Sequence, residues 1–349
     1  MDLSFYRNKK VLITGHTGFK GSWLTKLLLD AGACVSGYSI GVPTDPALFY
    51  LCGLDRELGT NSYTGDIRSL DRLSEIFREF QPEIVFHLAA QPIVRLSYAE
   101  PVLTYSTNVM GTVNVLECVR NTPSVISLVN VTTDKVYENR ETGEAFREEE
   151  RLDGYDPYSN SKSCSELVTA AYRRSYFAEA KLPVSTARAG NVIGGGDFAL
   201  DRLLPDCVRA AEKNEVIHIR NPYAVRPFQH VLEPLAVYLK IAEEQVKDPS
   251  LAGAYNVGPD RKDCLNTGAI ADLFCKYYEG ARWEAGKQEG PHEAAFLALD
   301  NTKIRETFHW QPVWDAEEAV RRTAVFAKTA DKTLAMEKDI ADFLDQAAF

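Results

Sequence analysis

The sequence predicts an α/β protein built on a doubly wound parallel sheet, followed by a smaller mixed α+β lobe. Short runs rich in Val, Ile and Leu alternate with amphipathic stretches from residue 9 onward. Repeated strand-then-helix order produces parallel strands that are joined by right-handed crossovers. After residue 192 this alternation becomes irregular, and turns containing glycine and proline interrupt it. The irregular part predicts the smaller lobe, which would supply a substrate cleft.

The elements can be predicted one by one from their hydrophobic periods. Buried strands are expected in five short apolar runs, at residues 9–14, 34–40, 83–90, 125–133 and 183–192. Helices that cover the sheet are expected at residues 18–31, 69–80 and 104–121. In the second lobe we expect helices at 203–214 and 233–246, a short strand at 216–220, and a final amphipathic helix at 330–349 that packs on the body or on a second subunit. The predicted domains are 1–190, to which some later segments return, and 191–349.

Composition and charge exclude several classes of protein. The 349 residues are 45% hydrophobic and 25% charged, which is typical of a globular chain. The length allows one large α/β domain or two unequal domains. A net charge of −10 without a basic stripe argues against a nucleic-acid or anionic membrane surface. No spanning helix or signal peptide is evident, so we expect a cytoplasmic protein without membrane partners. The 7 scattered cysteines contain no CxxC pair and there is no HExxH motif, so neither disulfides nor a metal site are expected.

Three glycines follow the first predicted strand. Gly15, Gly18 and Gly21 have GxxGxxG spacing between a strand and a helix, with Thr17 and Phe19 in the same loop. Glycine allows a tight turn and a close approach of the backbone to a pyrophosphate, and the helix that follows presents free N–H groups to it. The alternative is that the glycines serve only the turn. The context favours a dinucleotide-binding, Rossmann-type domain.

The second predicted strand bears on the choice of dinucleotide. It ends Ser-Gly-Tyr-Ser-Ile, without the acidic residue that normally binds the adenosine ribose. The next basic residue is Arg56, so no arginine is placed to bind a 2′-phosphate. We therefore predict NAD as the cofactor, loosely bound. Asp66 either accepts a hydrogen bond from the adenine amino group or caps the turn before the next helix. His16 and Lys20 either contact phosphate or are solvated.

Tyr158 and Lys162 are the strongest catalytic candidates. They lie four residues apart in one predicted helix that begins after Pro157, and they share a face of it. An ammonium group close to a phenol favours the phenolate, so we expect Lys162 to lower the pKa of Tyr158 and to make the tyrosine a base near neutral pH. YxxxK alone is a weak signal. Its combination with the glycine turn in an alternating α/β chain is a strong one.

Together these motifs resemble the extended short-chain dehydrogenase/reductase superfamily of nucleotide-sugar enzymes over nearly the whole chain. The residues that carry the resemblance are the glycine turn, Asp66-Ile67, His87-Leu88-Ala89-Ala90-Gln91, Asn108, Thr133, Tyr158 and Lys162. The resemblance implies that Thr133 helps Tyr158 to bind the sugar C4 oxygen and that Lys162 also holds the nicotinamide ribose. It implies further cofactor contacts from Asp66, Ile67, Leu88, Ala89, Ala90 and Asn108. Pairing of helices 104–121 and 158–179 in a homodimer, or a dimer of dimers, is also expected.

The segment Thr133-Asp134-Lys135 bears on the subclass. A sugar epimerase needs only the hydroxyl and the Tyr/Lys pair, whereas a 4,6-dehydratase must also take a proton from C5 and protonate the departing C6 hydroxyl. Asp134 and Lys135 are candidates for these roles, and a surface ion pair is the alternative. With residues 91–95 and 194–197, the Asp-Lys pair is similar to the CDP-glucose branch of the 4,6-dehydratases. CDP-glucose is therefore the expected substrate. Other nucleotide-sugar dehydratases, a 4-epimerase and a dinucleotide-sensing protein are alternatives.

Substrate contacts are expected mainly from the region after residue 190. The resemblance places a substrate contact at Asn191, and an arginine fork matches phosphate oxygens better than a lysine does. The predicted substrate-binding residues are Gln91, Arg95, Asn191, Arg202, His218 and Arg226. Arg226 is the strongest candidate for the diphosphate.

Overall fold

The computed structural model describes residues 1–287 and 294–348. The strands are, in chain order, β1 (Lys10–Thr14), β2 (Cys34–Ser39), β3 (Ser62–Thr64), β4 (Ile84–His87), β5 (Ser127–Val131), β6 (Val184–Ala189), β7 (Val192–Ile193), β8 (Ile217–Ile219), β9 (Val225–Pro227), β10 (Gln229–His230), β11 (Ala254–Val257), β12 (Cys264–Asn266) and β13 (Trp283–Ala285). The first six strands and β11 form one parallel sheet. The other strands form three short pairs.

The helices surround this sheet and build the second lobe. They are α1 (Phe19–Asp30), α2 (Leu48–Leu51), α3 (Leu54–Leu58), α4 (Leu70–Phe80), α5 (Val94–Ala99), α6 (Pro101–Tyr105), α7 (Gly111–Arg120), α8 (Pro157–Tyr172), α9 (Ala178–Ala180), α10 (Leu203–Glu212), α11 (Leu232–Lys247), α12 (Thr267–Tyr277), α13 (Thr302–Phe308), α14 (Ala316–Lys328) and α15 (Lys332–Gln346). Two π-helical segments, Ser106–Met110 and Arg173–Phe177, join α6 to α7 and α8 to α9. Within the described ranges, no helix is long and apolar enough to cross a membrane.

The order of the strands places a ligand crevice at a defined point. The sheet runs β11-β6-β5-β4-β1-β2-β3, so the chain winds outward from β1 in one direction and then from β4 in the other. The predicted doubly wound α/β fold is confirmed. In such sheets, ligands bind outside the carboxyl ends of the strands, at the point where the order reverses. Here that point lies between β1 and β4.

Two later segments return to this sheet. The short strand β11 pairs with β6 at the edge, and no run at its position stood out in the sequence. Helix α11 is buried over most of its length and packs against β5 and β6, so it covers the sheet and is not part of the second lobe. Both are consistent with the expected return of later segments. The division at residue 190 stays a prediction.

The apolar residues form more than one cluster. A separate cluster in the second half of the chain includes Leu204, Phe228, Ile270 and Val320. The C-terminal helix α15 belongs instead to the main core, because its buried residues pack there with those of α1 and α11. The amino group of Met1 donates a hydrogen bond of 2.8 Å to the Leu344 carbonyl. Of the two expectations for this helix, packing on the body is the one that the structure shows.

Candidate active site

The predicted site residues follow three neighbouring strands of the sheet. The glycine turn follows β1, the Leu88 loop follows β4, and Thr133 follows β5. Because these strands are parallel neighbours, their carboxyl ends lie at one edge. The first turns of α1 and α8 lie at the same edge, since α1 begins directly after the glycine turn and α8 packs against the segment after β5.

The glycine turn has the geometry of a phosphate cradle. Gly15 has a φ of +80°, and a Cβ there would lie 2.8 Å from the Ala89 nitrogen. A Cβ on Gly21 would lie 2.1 Å from the Gly15 oxygen. Gly18 is the N-cap of α1, and no side chain caps this helix, so its first N–H groups are available to an anion. These residues fit the pyrophosphate of a dinucleotide.

Two alanine substitutions separate the structural role from the binding role of these glycines. Gly21→Ala forces a methyl group into backbone atoms and is expected to lower the free energy of unfolding by about 1–3 kcal/mol. Gly18→Ala meets its nearest atom at 3.4 Å and should fold normally, but it should weaken NAD+ binding at the end of the helix. Thermal unfolding and NAD+ titration measure the two effects. Normal NAD+ affinity in Gly18→Ala would contradict the cradle.

His16 fills the groove above β2. A Cβ on Gly37 would lie 2.1 Å from its ring, and its Nδ1 and Nε2 lie 2.8 Å from the hydroxyls of Ser39 and Ser62. Burial lowers the pKa of His16 to about 4, so the ring is neutral at pH 7. His16 is therefore neither a solvated side chain nor a cationic phosphate ligand. Its neighbour Thr17 donates a hydrogen bond of 2.6 Å to the Gly41 carbonyl.

Asp66 stabilises the turn before α4. Its carboxylate accepts a hydrogen bond of 2.9 Å from the Arg68 nitrogen and pairs with the Arg68 guanidinium, and its carbonyl accepts one from the Ser69 nitrogen. The hydrogen bonds from Arg68 hold the pKa of Asp66 below its ordinary value. Next to it, Ile67 is buried against Gly111. The turn-capping role is thus present, and the adenine contact stays a prediction.

Asn108 and Gln91 hold the loop after β4. Asn108 lies in the first π-helical segment, where its Oδ1 accepts a 2.8 Å hydrogen bond from the Gln91 nitrogen and its Nδ2 donates to Ser161 Oγ. The Gln91 amide bonds to Thr104 Oγ1 at 2.9 Å and to the Ile93 nitrogen at 2.6 Å. Both amides act here by shaping the loop that contains Leu88, Ala89 and Ala90. Their contacts with a ligand stay predictions.

Tyr158 and Lys162 lie one turn apart near the start of α8. Asp156 is the N-cap, its carboxylate accepts the Ser159 N–H at 2.9 Å, and Pro157 is the first helical residue. The Lys162 ammonium group donates a hydrogen bond of 3.0 Å to the Val131 carbonyl at the end of β5. The capped helix therefore fixes both side chains against the carboxyl end of the sheet.

The expectation that Lys162 lowers the pKa of Tyr158 is wrong. Burial raises the pKa of Tyr158 to about 12, and the groups that oppose this rise most are Thr133, through a hydrogen bond, and Arg202, through its charge. The ammonium group of Lys162 is turned to the Val131 carbonyl. Burial in turn lowers the pKa of Lys162 to about 8. Desolvation, which spacing along a helix does not show, sets the direction of both pKa shifts.

The Asp134-Lys135 pair is not a surface ion pair. Asp134 opens a 3-10 turn, Asp134–Val136, and Thr133 precedes it as the N-cap. Only 2% of Asp134 is exposed; its Oδ1 accepts a 3.0 Å hydrogen bond from Thr133, and its Oδ2 has no partner among the described residues. Burial raises the pKa of Asp134, and the charge of Lys135 opposes this. A buried carboxyl with a raised pKa next to a half-buried lysine can act as a proton donor.

Lys20, whose role the sequence left open, lies among the catalytic candidates. Burial lowers its pKa to about 7, the charges of Arg202 and Lys162 lower it further, and those of Asp134 and Asp197 raise it. Arg202 also pairs with Asp197 at 3.3 Å. The position of this lysine in the first turn of α1, next to the glycine turn, is the signal in the sequence that points to this role. The structure thus adds a cation to the edge where a pyrophosphate would bind.

Three other predicted substrate residues, Arg226, Arg95 and Asn191, lie in separate segments of the fold. Arg226 on β9 is buried, and its charge lowers the pKa of Asp134. Arg95 pairs with Asp201 at 3.5 Å. The carbonyl of Asn191 accepts the Gln229 N–H. These positions bring Arg202 and Arg226 to the catalytic residues.

His218 lies on the surface of the second lobe. Its side chain is 63% exposed, and its Nδ1 lies 3.2 Å from Glu284 on β13. The structure therefore gives no contact between His218 and the other predicted substrate residues. In residues 1–287 and 294–348, no group of His, Cys, Asp and Glu side chains could hold a metal ion.

A family model described as GDP-mannose 4,6 dehydratase matches residues 12–323. The chain belongs to this family. A CDP-glucose 4,6-dehydratase of Salmonella typhimurium is 43% identical, over 99% of this chain and 98% of the relative. A dTDP-glucose 4,6-dehydratase of Haemophilus influenzae is 26% identical, over 90% of this chain and 96% of the relative. The resemblance predicted from the motifs is confirmed.

Solved structures of similar fold include both dehydratases and epimerases. A dTDP-glucose 4,6-dehydratase of Bacillus anthracis in complex with NAD has a TM-score of 0.75 at 22% identity, covering 94% of this chain and 99% of that one. A UDP-glucuronic acid 4-epimerase of Bacillus cereus, in complex with UDP-glucuronic acid and NAD, has a TM-score of 0.78 at 20% identity, covering 91% and 99%. This fold thus occurs in both kinds of enzyme and does not separate their reactions.

Proposed function

We propose that this chain is an NAD-dependent 4,6-dehydratase that converts CDP-glucose into CDP-4-keto-6-deoxyglucose and water. The observation that carries the proposal is the buried Asp134, whose Oδ2 lacks a partner among the described residues and which stands between Thr133 and Lys135. An epimerase has no use for a buried acid and a lysine at this point. The 43% identity to a CDP-glucose 4,6-dehydratase supports the substrate.

The first step is removal of the C4 hydroxyl proton. When bound, NAD+ supplies the acceptor for the C4 hydride, its return to C6, and a positive charge that favours the phenolate of Tyr158. Tyr158 takes the hydroxyl proton, and Thr133, hydrogen-bonded to Tyr158, orients the C4 oxygen. The result is a ketone at C4. Lys162 holds the nicotinamide ribose from the next turn of α8.

The second step is loss of water across C5 and C6. The C4 ketone acidifies the C5 proton, and Lys135 removes it as the base and gives it back to C5 when C6 receives the hydride. Asp134, in its protonated form, gives its proton to the C6 hydroxyl, which departs as water. The raised pKa of Asp134, caused by burial, favours the protonated form that this role requires. Arg202 and Arg226 bind the diphosphate beside these residues, and Arg95 is a further substrate contact.

Product analysis separates this function from its alternatives. Purified protein is incubated with NAD+ and, separately, with the CDP-, dTDP-, UDP- and GDP-hexoses, and the products are identified. A 4-keto-6-deoxy product from CDP-glucose is expected. If only another nucleotide sugar gives this product, that sugar is the substrate. A C4 epimer as the product would establish the epimerase. No turnover of any sugar would favour a dinucleotide-sensing protein.

We expect NAD+ and not NADP+ to support this activity, with loose binding. The end of β2 offers Ser39 and the exposed Ile40, so it contains neither an acid for the ribose nor a free basic side chain for a 2′-phosphate. The hydroxyl of Ser39 is already bonded to His16. Activity of the purified protein should therefore rise when NAD+ is added. Equal or higher activity with NADP+ would contradict this prediction.

We also propose a homodimer, or a dimer of dimers, built on the helices α6–α7 and α8. Apolar side chains on these helices are exposed, among them Val102, Met110 and Leu167. Val102→Asp is expected to shift the protein toward the monomer in sedimentation experiments at micromolar concentration. Leu334→Asp, at an exposed leucine of α15, is the matched control. A monomeric wild-type protein would contradict the proposal.

A cytoplasmic location and the lack of nucleic-acid and membrane partners stay predictions.

A further inference from the structure

A buried ion pair lies beneath the catalytic residues. The Glu166 carboxylate on α8 and the Arg188 guanidinium on β6 are 2.9 Å apart, and their side chains are 3% and 4% exposed. Glu166 follows Lys162 by one turn on the same face of the helix. A buried pair of this kind adds little to the free energy of unfolding compared with apolar residues of similar size. We therefore infer its role from its contacts.

Glu166 holds the start of the segment that contains Asp134. Its Oε1 accepts a hydrogen bond from the Thr132 hydroxyl, and its Oε2 accepts one of 2.7 Å from the Thr186 hydroxyl. Thr132 immediately precedes residues 133–137, which we call the catalytic turn. All three side chains are buried, so these hydrogen bonds do not compete with solvent.

Arg188 holds the other end of the catalytic turn. Its Nη1 donates hydrogen bonds to the Tyr137 hydroxyl at 2.8 Å and to the Glu148 carbonyl at 2.9 Å. The Tyr137 hydroxyl donates in turn to Asn256 Oδ1 at 2.6 Å, and the Tyr137 ring stacks on Phe146 with centroids 4.9 Å apart. One ion pair therefore reaches both ends of the catalytic turn.

The charges of the pair also act on each other and on Lys162. Burial opposes the charge of Arg188, but Glu166 and Tyr137 more than compensate, so the pKa of Arg188 is raised. Burial lowers the pKa of Lys162, and the charge of Glu166 opposes this fall. Arg188 thus remains charged beneath the site.

We propose that Glu166 and Arg188 are positioning residues that clamp the catalytic turn from both ends and so hold Asp134 and Lys135 in place for the loss of water. The proposal rests on the proposed 4,6-dehydratase activity. The clamp acts on the second step, because Asp134 and Lys135 remove the C5 proton and protonate the C6 hydroxyl. Thr133, which serves the C4 step, is also held by its hydrogen bond with Tyr158 on α8. Tyr158 and Lys162 are fixed separately by α8.

A matched set of variants breaks the clamp without breaking the ion pair. Thr132→Val removes the hydrogen bond that the Thr132 hydroxyl donates to Glu166 and conserves the shape of the side chain. Thr186→Val removes a hydrogen bond to the same carboxylate from β6 and leaves the bond from the Thr132 hydroxyl in place. Thr132→Ser keeps the hydroxyl. Tyr137→Phe removes the contact of Arg188 at the other end and keeps the stacked ring.

Single-turnover kinetics with CDP-glucose test whether the clamp affects the loss of water and not the oxidation at C4. In Thr132→Val and Tyr137→Phe, oxidation at C4 should remain close to wild type, while loss of water slows about 10- to 100-fold because the acid and base are misplaced. Reduced-nicotinamide absorbance should then accumulate. Thr186→Val and Thr132→Ser should show no accumulation. A uniform slowing of both steps in all variants would overturn the clamp and leave a general effect on folding.

Hydrogen exchange of the free protein gives a second measurement that requires no substrate. Amides of the catalytic turn should exchange faster in Thr132→Val than in wild type, and at the wild-type rate in Thr186→Val. Equal exchange in both variants would overturn the proposal. If wild-type protein dehydrates none of the nucleotide sugars, the proposed function fails, and the exchange comparison still decides whether the clamp exists.

Discussion

Replacing Tyr158 by phenylalanine is expected to slow oxidation at C4 by about 10²- to 10⁴-fold, the usual effect of losing a general base. The ring keeps its packing and only the hydroxyl is lost, so the free energy of unfolding should change little. Because burial raises the pKa of Tyr158 to about 12, the phenolate is the minor form near neutral pH. The rate of the wild-type step should therefore rise with pH, and this rise should disappear in the variant.

Tyr155 provides a matched control for this experiment. It lies three residues upstream and is 75% exposed, whereas the Tyr158 hydroxyl bonds to Thr133, so Tyr155→Phe should retain wild-type kinetics. Stopped-flow absorbance of the reduced nicotinamide measures the C4 step in both variants. Turnover of Tyr158→Phe close to wild type would exclude Tyr158 as the base.

The features that sequence reasoning predicted depend on local order along the chain. The doubly wound sheet followed from strands and helices in alternation, and the glycine turn followed from three glycines between a strand and a helix. Tyr158 and Lys162 were placed on one helix by their spacing and by Pro157 before them. Strands β1 and β5 end within two residues of their predicted limits, because apolar runs stop where polar or glycine residues begin.

The features that it did not predict depend on contacts between distant segments. The edge strand β11 is a run of four residues, which is too short for a periodic signal. His16 packs against Gly37 in the next strand, and the pKa of Tyr158 follows from burial by several elements. The pair of Glu166 and Arg188 joins a helix to a strand and has no motif of its own.

Lys135→Met and Asp134→Asn are expected to separate the two halves of the reaction. Tyr158, Thr133 and Lys162 complete the C4 step, whereas removal of the C5 proton and protonation of the C6 hydroxyl depend on Lys135 and Asp134. Each variant should therefore oxidise C4 at a rate close to wild type and lose water about 10²- to 10⁴-fold more slowly. Reduced-nicotinamide absorbance should build up in a single turnover and decay slowly.

Glu138→Gln is the matched control, because Glu138 follows the catalytic turn directly but pairs with Arg140 at 2.6 Å and is 30% exposed. It removes a carboxylate from the same segment and should leave both steps unchanged. Asp134→Asn keeps the shape of the buried side chain, and the hydrogen bond from Thr133 to Oδ1 can persist, so a defect there reports the lost proton. If either variant already fails at C4 oxidation with NAD+ bound, the pair positions the sugar. If both turn over normally, the acid and base for the loss of water lie elsewhere in the site.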